Sequence, residues 1–447
     1  MPLPPAEDQS DETPAPRPFL RTASDPVANA GNAEVQTPGR PAALHAQPVF
    51  PPPVVEARVL ARLAGWQQFA ALAVRVDPPA ISTPDGPLHT ILSACLEALA
   101  AQWGGHWFAW GDGLYGCALP GIDIDAAQTQ AVGIQSDLAK TRVETVSIGI
   151  SRFPLLDFDS AAALQNACKA LDHAAFFGPA AIVVFDAVSL NISGDHFYQS
   201  GAYDDAVAEY RAALRLDAAN GNVHNSLGVC LAQQGKSAEA RTAFEEAHRI
   251  DPNEAMGIYN LGVLHLLEKN NAQALLCFRK ALAVDNRTFD IPFQIGKLLI
   301  EEQAYPEALN LLQAAAALRE GYAPVQTLIG RCLDCLGRRE EAITAYSKAI
   351  KNNPNDAAAL SALGILYDTR GENPEICLTF CRQSVAVAPE NGVFRLHLAR
   401  LYHKHNQLED ALAQYETAAE LGCDARLQID EIRDLLDAAE DDRQCCA

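Results

Sequence analysis

The chain has 447 residues, a net charge of −22 and an apolar fraction of 49%. That length allows several domains and a sizeable core. The acidic balance excludes general binding to nucleic acid or anionic membranes, which needs clustered Lys and Arg. The sequence has no 18-residue apolar run, so no transmembrane span is expected. The first thirty residues lack the charged start and apolar core of a secretory signal. Twelve cysteines without such a signal point to reduced thiols in a cytoplasm.

Residues 1–55 are rich in Pro, Ala and small polar or acidic residues and end in Phe50-Pro51-Pro52-Pro53. They cannot bury enough apolar surface to offset the entropy of ordering, so a disordered tail is expected.

Residues 56–186 alternate helical and extended patterns. Phe69 to Val76 reads as an apolar strand, and His89 to Trp103 as a helix with Leu92, Cys95, Leu96 and Leu99 on one side. Trp107 to Leu119 reads as a hairpin turning at Asp112-Gly113. A helix over Asp125 to Lys140, a strand over Thr145 to Ile150, a helix over Ser160 to Phe176 and a strand over Ala181 to Asp186 complete the domain. This order predicts an α/β fold with one sheet and helices packed on it.

Three stretches carry a family likeness: Val146-Ser147-Ile148-Gly149-Ile150-Ser151, Ala167-Cys168-Lys169-Ala170-Leu171, and Val183-Val184-Phe185-Asp186. They resemble the late strand, last helix and last strand of the GGDEF, or diguanylate cyclase, family. The signature hairpin of that family falls on Trp110, Gly111, Asp112, Gly113 and Leu114. Trp110 stands at the first glycine of the signature, Gly113 at its glutamate, and Arg75 at the metal aspartate of the first strand, with Asp77 two residues on. Ala101 and Gly104 take the places of the inhibitory Arg and Asp. Nucleotide cyclisation needs a divalent metal, which a cation at position 75 repels. The resemblance therefore implies a degenerate, non-catalytic copy, with no cofactor or metal and no enzyme activity. The other reading is an α/β domain that shares only the topology.

From residue 187 the chain is periodic. Gly194, Gly228, Gly262, Gly296, Gly330 and Gly364 lie 34 residues apart, and Ala206, Ala240, Ala274, Ala308 and Ala342 keep step. A fixed period of this length marks a solenoid of helical hairpins. Within residues 221–254, Leu227-Gly228 and Leu231 belong to a first helix. Ala240, Phe244 and Ala247 form one stripe of a second helix, and Pro252 ends the unit. This pattern resembles the tetratricopeptide repeat. Seven units are read: 187–220, 221–254, 255–288, 289–322, 323–356, 357–391 and 392–424. The fourth has Leu312 at the aromatic position. The sixth carries an extra residue near Gly371 to Pro374, which moves its small residue to Cys377, and the seventh has Ala399 for glycine. Residues 425–447 read as a capping helix and acidic tail, with Leu427, Ile432, Leu435 and Leu436 as the apolar face. The short link at Phe185 to Ser193 predicts that the first repeat packs on the α/β domain.

Several motifs have plain structural readings. Gly235-Lys236-Ser237 lacks the earlier glycine of a phosphate loop, with Cys230 there instead. Cys332 with Cys335, and Cys377 with Cys381, lie one helical turn apart and read as packing residues. His397, His403 and His405 do not converge as metal ligands would. Cys445-Cys446 reads as a flexible terminal pair.

The tetratricopeptide resemblance implies a protein or peptide partner on the concave face. Inward positions carried over from the family are Asn225, Val229, Tyr259, Val263, Leu266 and Phe293, followed by Lys297, Arg331, Arg400 and His403. An apolar then basic track suits an acidic peptide with apolar anchors. A solvated face offset by Asp290, Asp334 and Asp368 is the alternative. The expected function is a cytoplasmic, non-catalytic signalling scaffold, with a homodimer as a further assembly. The alternative is a receptor that binds GTP or cyclic di-GMP in its α/β domain.

Overall fold

The computed structural model describes residues 59, 61–78, 86–111 and 113–445, with side chains described to 438. The described chain divides into two compact units, one ending at Leu264 and one beginning at His265.

The first unit opens with a five-stranded sheet of order β2-β3-β1-β4-β5. The strands are β1 (Phe69–Val76), β2 (His106–Gly111), β3 (Leu114–Pro120), β4 (Val146–Phe153) and β5 (Ile182–Val184). Helix α1 (Pro87–Trp103) follows β1, α2 (Ile124–Ala139) follows β3, and α3 (Ser160–Ala174) follows β4. β1 runs antiparallel to both β3 and β4, while β4 and β5 are parallel. The first four strands and two helices thus form a βαββαβ unit, extended by α3 and β5.

Period-two alternation divides the core. Leu72, Val74, Tyr115, Cys117, Ile148 and Ile150 meet Leu92 and Leu96 of α1 and Ile134 and Leu138 of α2. On the other face, Phe69, Ala71 and Ala73 meet Leu164, Ala167 and Leu171 of α3. Gly149 lets α3 sit close to β4, because a Cβ there would strike the backbone at Ala167 and Leu171. Aspartates start the helices: Asp123 accepts from the Ala126 amide at 2.8 Å, and Asp159 from the Ala162 amide at 2.8 Å.

Helical hairpins follow. In the first unit α4 (Ala187–Gln199) pairs with α5 (Tyr203–Leu216), and α6 (Gly221–Gln233) with α7 (Ser237–Ile250). Helix α8 (Ala255–Leu267) crosses the division after Leu264. The second unit holds α9 (Asn271–Val284), α10 (Asp290–Glu301), α11 (Tyr305–Leu318), α12 (Ala323–Cys335), α13 (Arg339–Asn352) and α14 (Ala357–Arg370). It ends with α15 (Pro374–Val387), α16 (Gly392–Lys404), α17 (Leu408–Glu420) and α18 (Arg426–Cys445).

The periodic glycines explain these hairpins. A Cβ on Gly194 would lie 2.5 Å from the Tyr210 ring, and one on Gly228 2.5 Å from the Phe244 ring. In the second unit Gly330 faces Tyr346 and Gly296 faces Leu312, each at 2.7 Å from such a Cβ. The large side chain therefore fills the space over the glycine of its own hairpin. Gly364 faces Cys381, so the sixth unit seats a thiol where its neighbours seat a ring. Gly371, at φ 84°, takes the left-handed bend that admits the extra residue before α15.

Helix α18 packs on α17, but through a different stripe from the expected one. Ala425, Ile429 and Ile432 are buried with Tyr415, and Leu436 packs against them. Leu427 and Leu435 are exposed. Residues spaced by four, three and four share one helical face, and position 427 falls off it.

Candidate functional site

The β2–β3 hairpin packs its own large side chains inward. The β2–β3 register slips between Ala109 and Gly111, leaving Trp110 as a bulged residue. Its buried indole turns onto Gly116, where any Cβ would collide with the ring. Gly111 and Gly113 take left-handed φ values of 105° and 76°, which the turn requires. Leu114 packs against the same core cluster as Trp110. Asp112 lies outside the described residues.

The polar residues near the end of β1 are also committed. Arg75 pairs with Asp172 of α3 at 3.6 Å. The Asp77 carboxylate is buried and accepts from Thr145 Oγ1 at 2.7 Å, Ser147 Oγ at 2.6 Å and the Ala180 amide at 2.8 Å. It thereby ties the end of β1 to the start of β4 and to the loop before β5. Three bonds use most of the acceptor sites of this carboxylate. No group of three or more His, Cys, Asp or Glu residues able to hold a metal ion is present among the described residues. Sequence reasoning missed this role of Asp77, because its partners lie about 70 to 100 residues away.

The sheet domain meets the first hairpin through polar contacts within the first unit. Lys169 of α3 donates to Glu209 of α5 at 2.7 Å. Arg215 donates to both oxygens of Asp157, at 2.8 and 2.9 Å, and lies over the Phe158 ring. At the head of α4, burial disfavours the Asp186 charge. Bonds from His173 and Ser189 outweigh this and hold its carboxyl below the usual range.

The groove expectation needs correction by unit. In the first unit Asn225, Val229, Tyr259 and Val263 are buried and offer no open face. Asn260 donates to Asn225 at 2.7 Å, so the amide at this register joins successive first helices instead of facing a ligand. In the second unit Phe293 is also buried, stacked on Phe289 at 5.2 Å and edge-on to Tyr322 at 5.9 Å. Leu266, Lys297, Arg331 and His403 are half-buried, and Arg400 is exposed. Lys297 lies 5.9 Å from the Phe293 ring centre, a cation–π contact. Of the acids weighed as offsets, Asp368 is bound by Lys404 at 2.7 Å, with His405 at 3.7 Å. Burial raises the Asp334 carboxyl pKa, and Arg339 opposes that rise.

The remaining motifs have structural partners. Gly235 takes φ 75° in the turn between α6 and α7. Cys332 is buried and Cys335 exposed on α12, while Cys377 and Cys381 are both buried on α15. His397 bonds Ser361, His403 lies edge-on to Tyr415 and His405 approaches Asp368, so the three imidazoles have separate partners. No helix among the described residues is long and apolar enough to cross a membrane.

Comparison with known proteins agrees with the helical pattern. Residues 193–255 and 299–366 match models of the tetratricopeptide repeat. Among solved structures, PilF of Pseudomonas aeruginosa shares 22% identity over 48% of this chain and 97% of its own, with a TM-score of 0.42. A tetratricopeptide repeat protein from Parabacteroides merdae shares 17% identity over 55% of this chain and 96% of its own, at a TM-score of 0.40. TTC0263, a thermophilic repeat protein of Thermus thermophilus, shares 21% identity over 40% and 98%, at 0.34. No curated protein matches the chain. The chain thus carries tetratricopeptide repeats after an α/β domain with a five-stranded sheet.

Proposed function

We propose that this protein is a non-catalytic scaffold whose repeats hold a protein or peptide partner in a reducing cytoplasm. The observation that carries the reading is the repeat match over 193–255 and 299–366. Tetratricopeptide hairpins build extended binding surfaces by stacking. On the second unit, Lys297, Arg331 and Arg400 supply cations on the first helices of the fourth, fifth and seventh repeats. These suit an acidic segment, because complementary charge steers encounter and fixes orientation.

The α/β domain serves in this proposal as a degenerate relative of diguanylate cyclases, acting as a partner or self-association module. Trp110 seated on Gly116 and Asp77 engaged by three donors both support a role without metal chemistry. Its domain limits are taken as 56–186, with repeats over 187–424 and a cap over 425–447.

The test is affinity capture with the full chain, then calorimetric titration of the identified partner. Lys297→Glu combined with Arg331→Glu is expected to weaken binding at least about tenfold and to flatten its salt dependence. Unchanged affinity and salt dependence would remove the acidic-partner reading. Titration with GTP and cyclic di-GMP, with and without magnesium, tests the receptor alternative, which saturable binding would restore.

A further inference from the structure

Where the parallel strands β4 and β5 end, the first unit contains a cavity of about 470 Å³. It lies at the meeting of the sheet domain with the first hairpin. Crevices beyond the carboxyl ends of parallel strands are where open α/β sheets most often take ligands. The volume falls in the range of small-molecule sites.

Its lining has two characters. Leu155, Phe185 and Leu216 give an apolar wall, and Ser151, Arg152, Asp186 and Asp217 supply polar groups. Ser151 is buried, and its Oγ has no hydrogen-bond partner. A buried hydroxyl left unpaired is costly and calls for an explanation. Arg152 is exposed and makes no ion pair among the described residues. Arg215 nearby is spent on Asp157. Asp186 is committed to capping α4, whereas one oxygen of Asp217 accepts from the Ala219 amide.

One available cation, one partly available carboxylate and an apolar wall together match a zwitterion with an apolar side chain. We infer that this cavity binds a free α-amino acid with an aliphatic or aromatic side chain. Arg152 takes the carboxylate, Asp217 the ammonium group, and Phe185 with Leu216 the side chain. Ser151 gains a polar partner from the ligand. Because the cavity lies between β5, α4 and α5, occupancy stiffens the junction of the sheet domain with the first hairpin.

The test is calorimetric titration of the full chain with L-leucine, L-phenylalanine, isoamylamine and 4-methylpentanoate. One of the two amino acids is expected to bind saturably, one per chain. The amine and the acid each lack one charge and are expected to bind at least about tenfold more weakly. Arg152→Glu and Asp217→Asn each weaken amino-acid binding about tenfold. Both positions are exposed, so an unchanged circular-dichroism melt confirms folding. Ser151→Ala weakens binding a few fold. The inference is overturned if neither amino acid gives saturable heat up to about 10 mM. It is equally overturned if both charge variants bind as the parent does, or if the single-charge analogues bind as tightly.

Discussion

Lys169 Nζ of α3 donates to Glu209 Oε1 of α5 at 2.7 Å, with both side chains largely buried. This pair links the sheet domain to the first hairpin at a largely buried place. The pair contributes specificity more than net stability, because desolvation offsets much of its attraction. Removing one member is a different matter. Lys169→Met leaves Glu209 charged and uncompensated, with its Oε2 already lacking a partner. A loss of about 3 kcal/mol is expected. The double variant Lys169→Met with Glu209→Leu recovers most of it. Urea unfolding of the parent and the two variants measures this, and equal losses in the single and double variants would contradict it.

Gly228 and Gly221 offer a paired test of the repeat packing. A Cβ at 228 meets the Phe244 ring at 2.5 Å, whereas one at 221 meets nothing nearer than 3.5 Å. Gly228→Ala is expected to cost about 1–3 kcal/mol despite its better helix propensity. Gly221→Ala is expected to be neutral or mildly stabilising. Thermal midpoints of the two variants decide between ring packing and simple propensity.

Asp77 carries three hydrogen bonds, so Asp77→Ala strands two hydroxyls and an amide. A destabilisation of about 3 kcal/mol is expected from the unpaired donors. Magnesium is expected to leave the thermal midpoint of the parent protein unchanged. A rise in midpoint with magnesium that Asp77→Ala abolishes would instead identify a metal ligand.

His397 sits against Ser361, with Nδ1 2.8 Å from Oγ. Burial, aided by the Arg400 charge, pushes its pKa down to about 4. The unfolded chain therefore binds this proton more readily than the native state does. The stability contribution is present above about pH 6.5 and is lost as pH falls from there to about 4. Denaturant unfolding between pH 7 and pH 4 is expected to show a shallower decline in His397→Gln than in the parent. Identical slopes would exclude this residue as a source.

The thiols are expected to separate by burial. Burial pushes Cys117, Cys332 and Cys381 up to about 12, so they carry almost no thiolate at neutral pH. Cys335 is exposed one turn from Cys332. Peptide mapping after brief alkylation is expected to find Cys335 modified and those three intact. Rapid modification of Cys332 would indicate opening of α12.

The sequence by itself determined the repeat register and the alternation of the sheet domain. Both arise from local periodicity: glycine and alanine every 34 residues mark where helices approach, and apolar runs mark strands. Even the irregular sixth unit was legible, because Gly371 and Pro374 have fixed backbone requirements. The tertiary structure alone decided which surfaces remain open. Asn225 and Asn260 join each other rather than a ligand, and Phe293 stacks on Phe289, because burial depends on what each helix packs against. Trp110 turns inward only because a bulge redirects it onto Gly116. Asp77, Lys169 and the residues around Ser151 likewise take their roles from partners distant in sequence. No spacing rule reports such partners, since those contacts are set by the packing of whole elements.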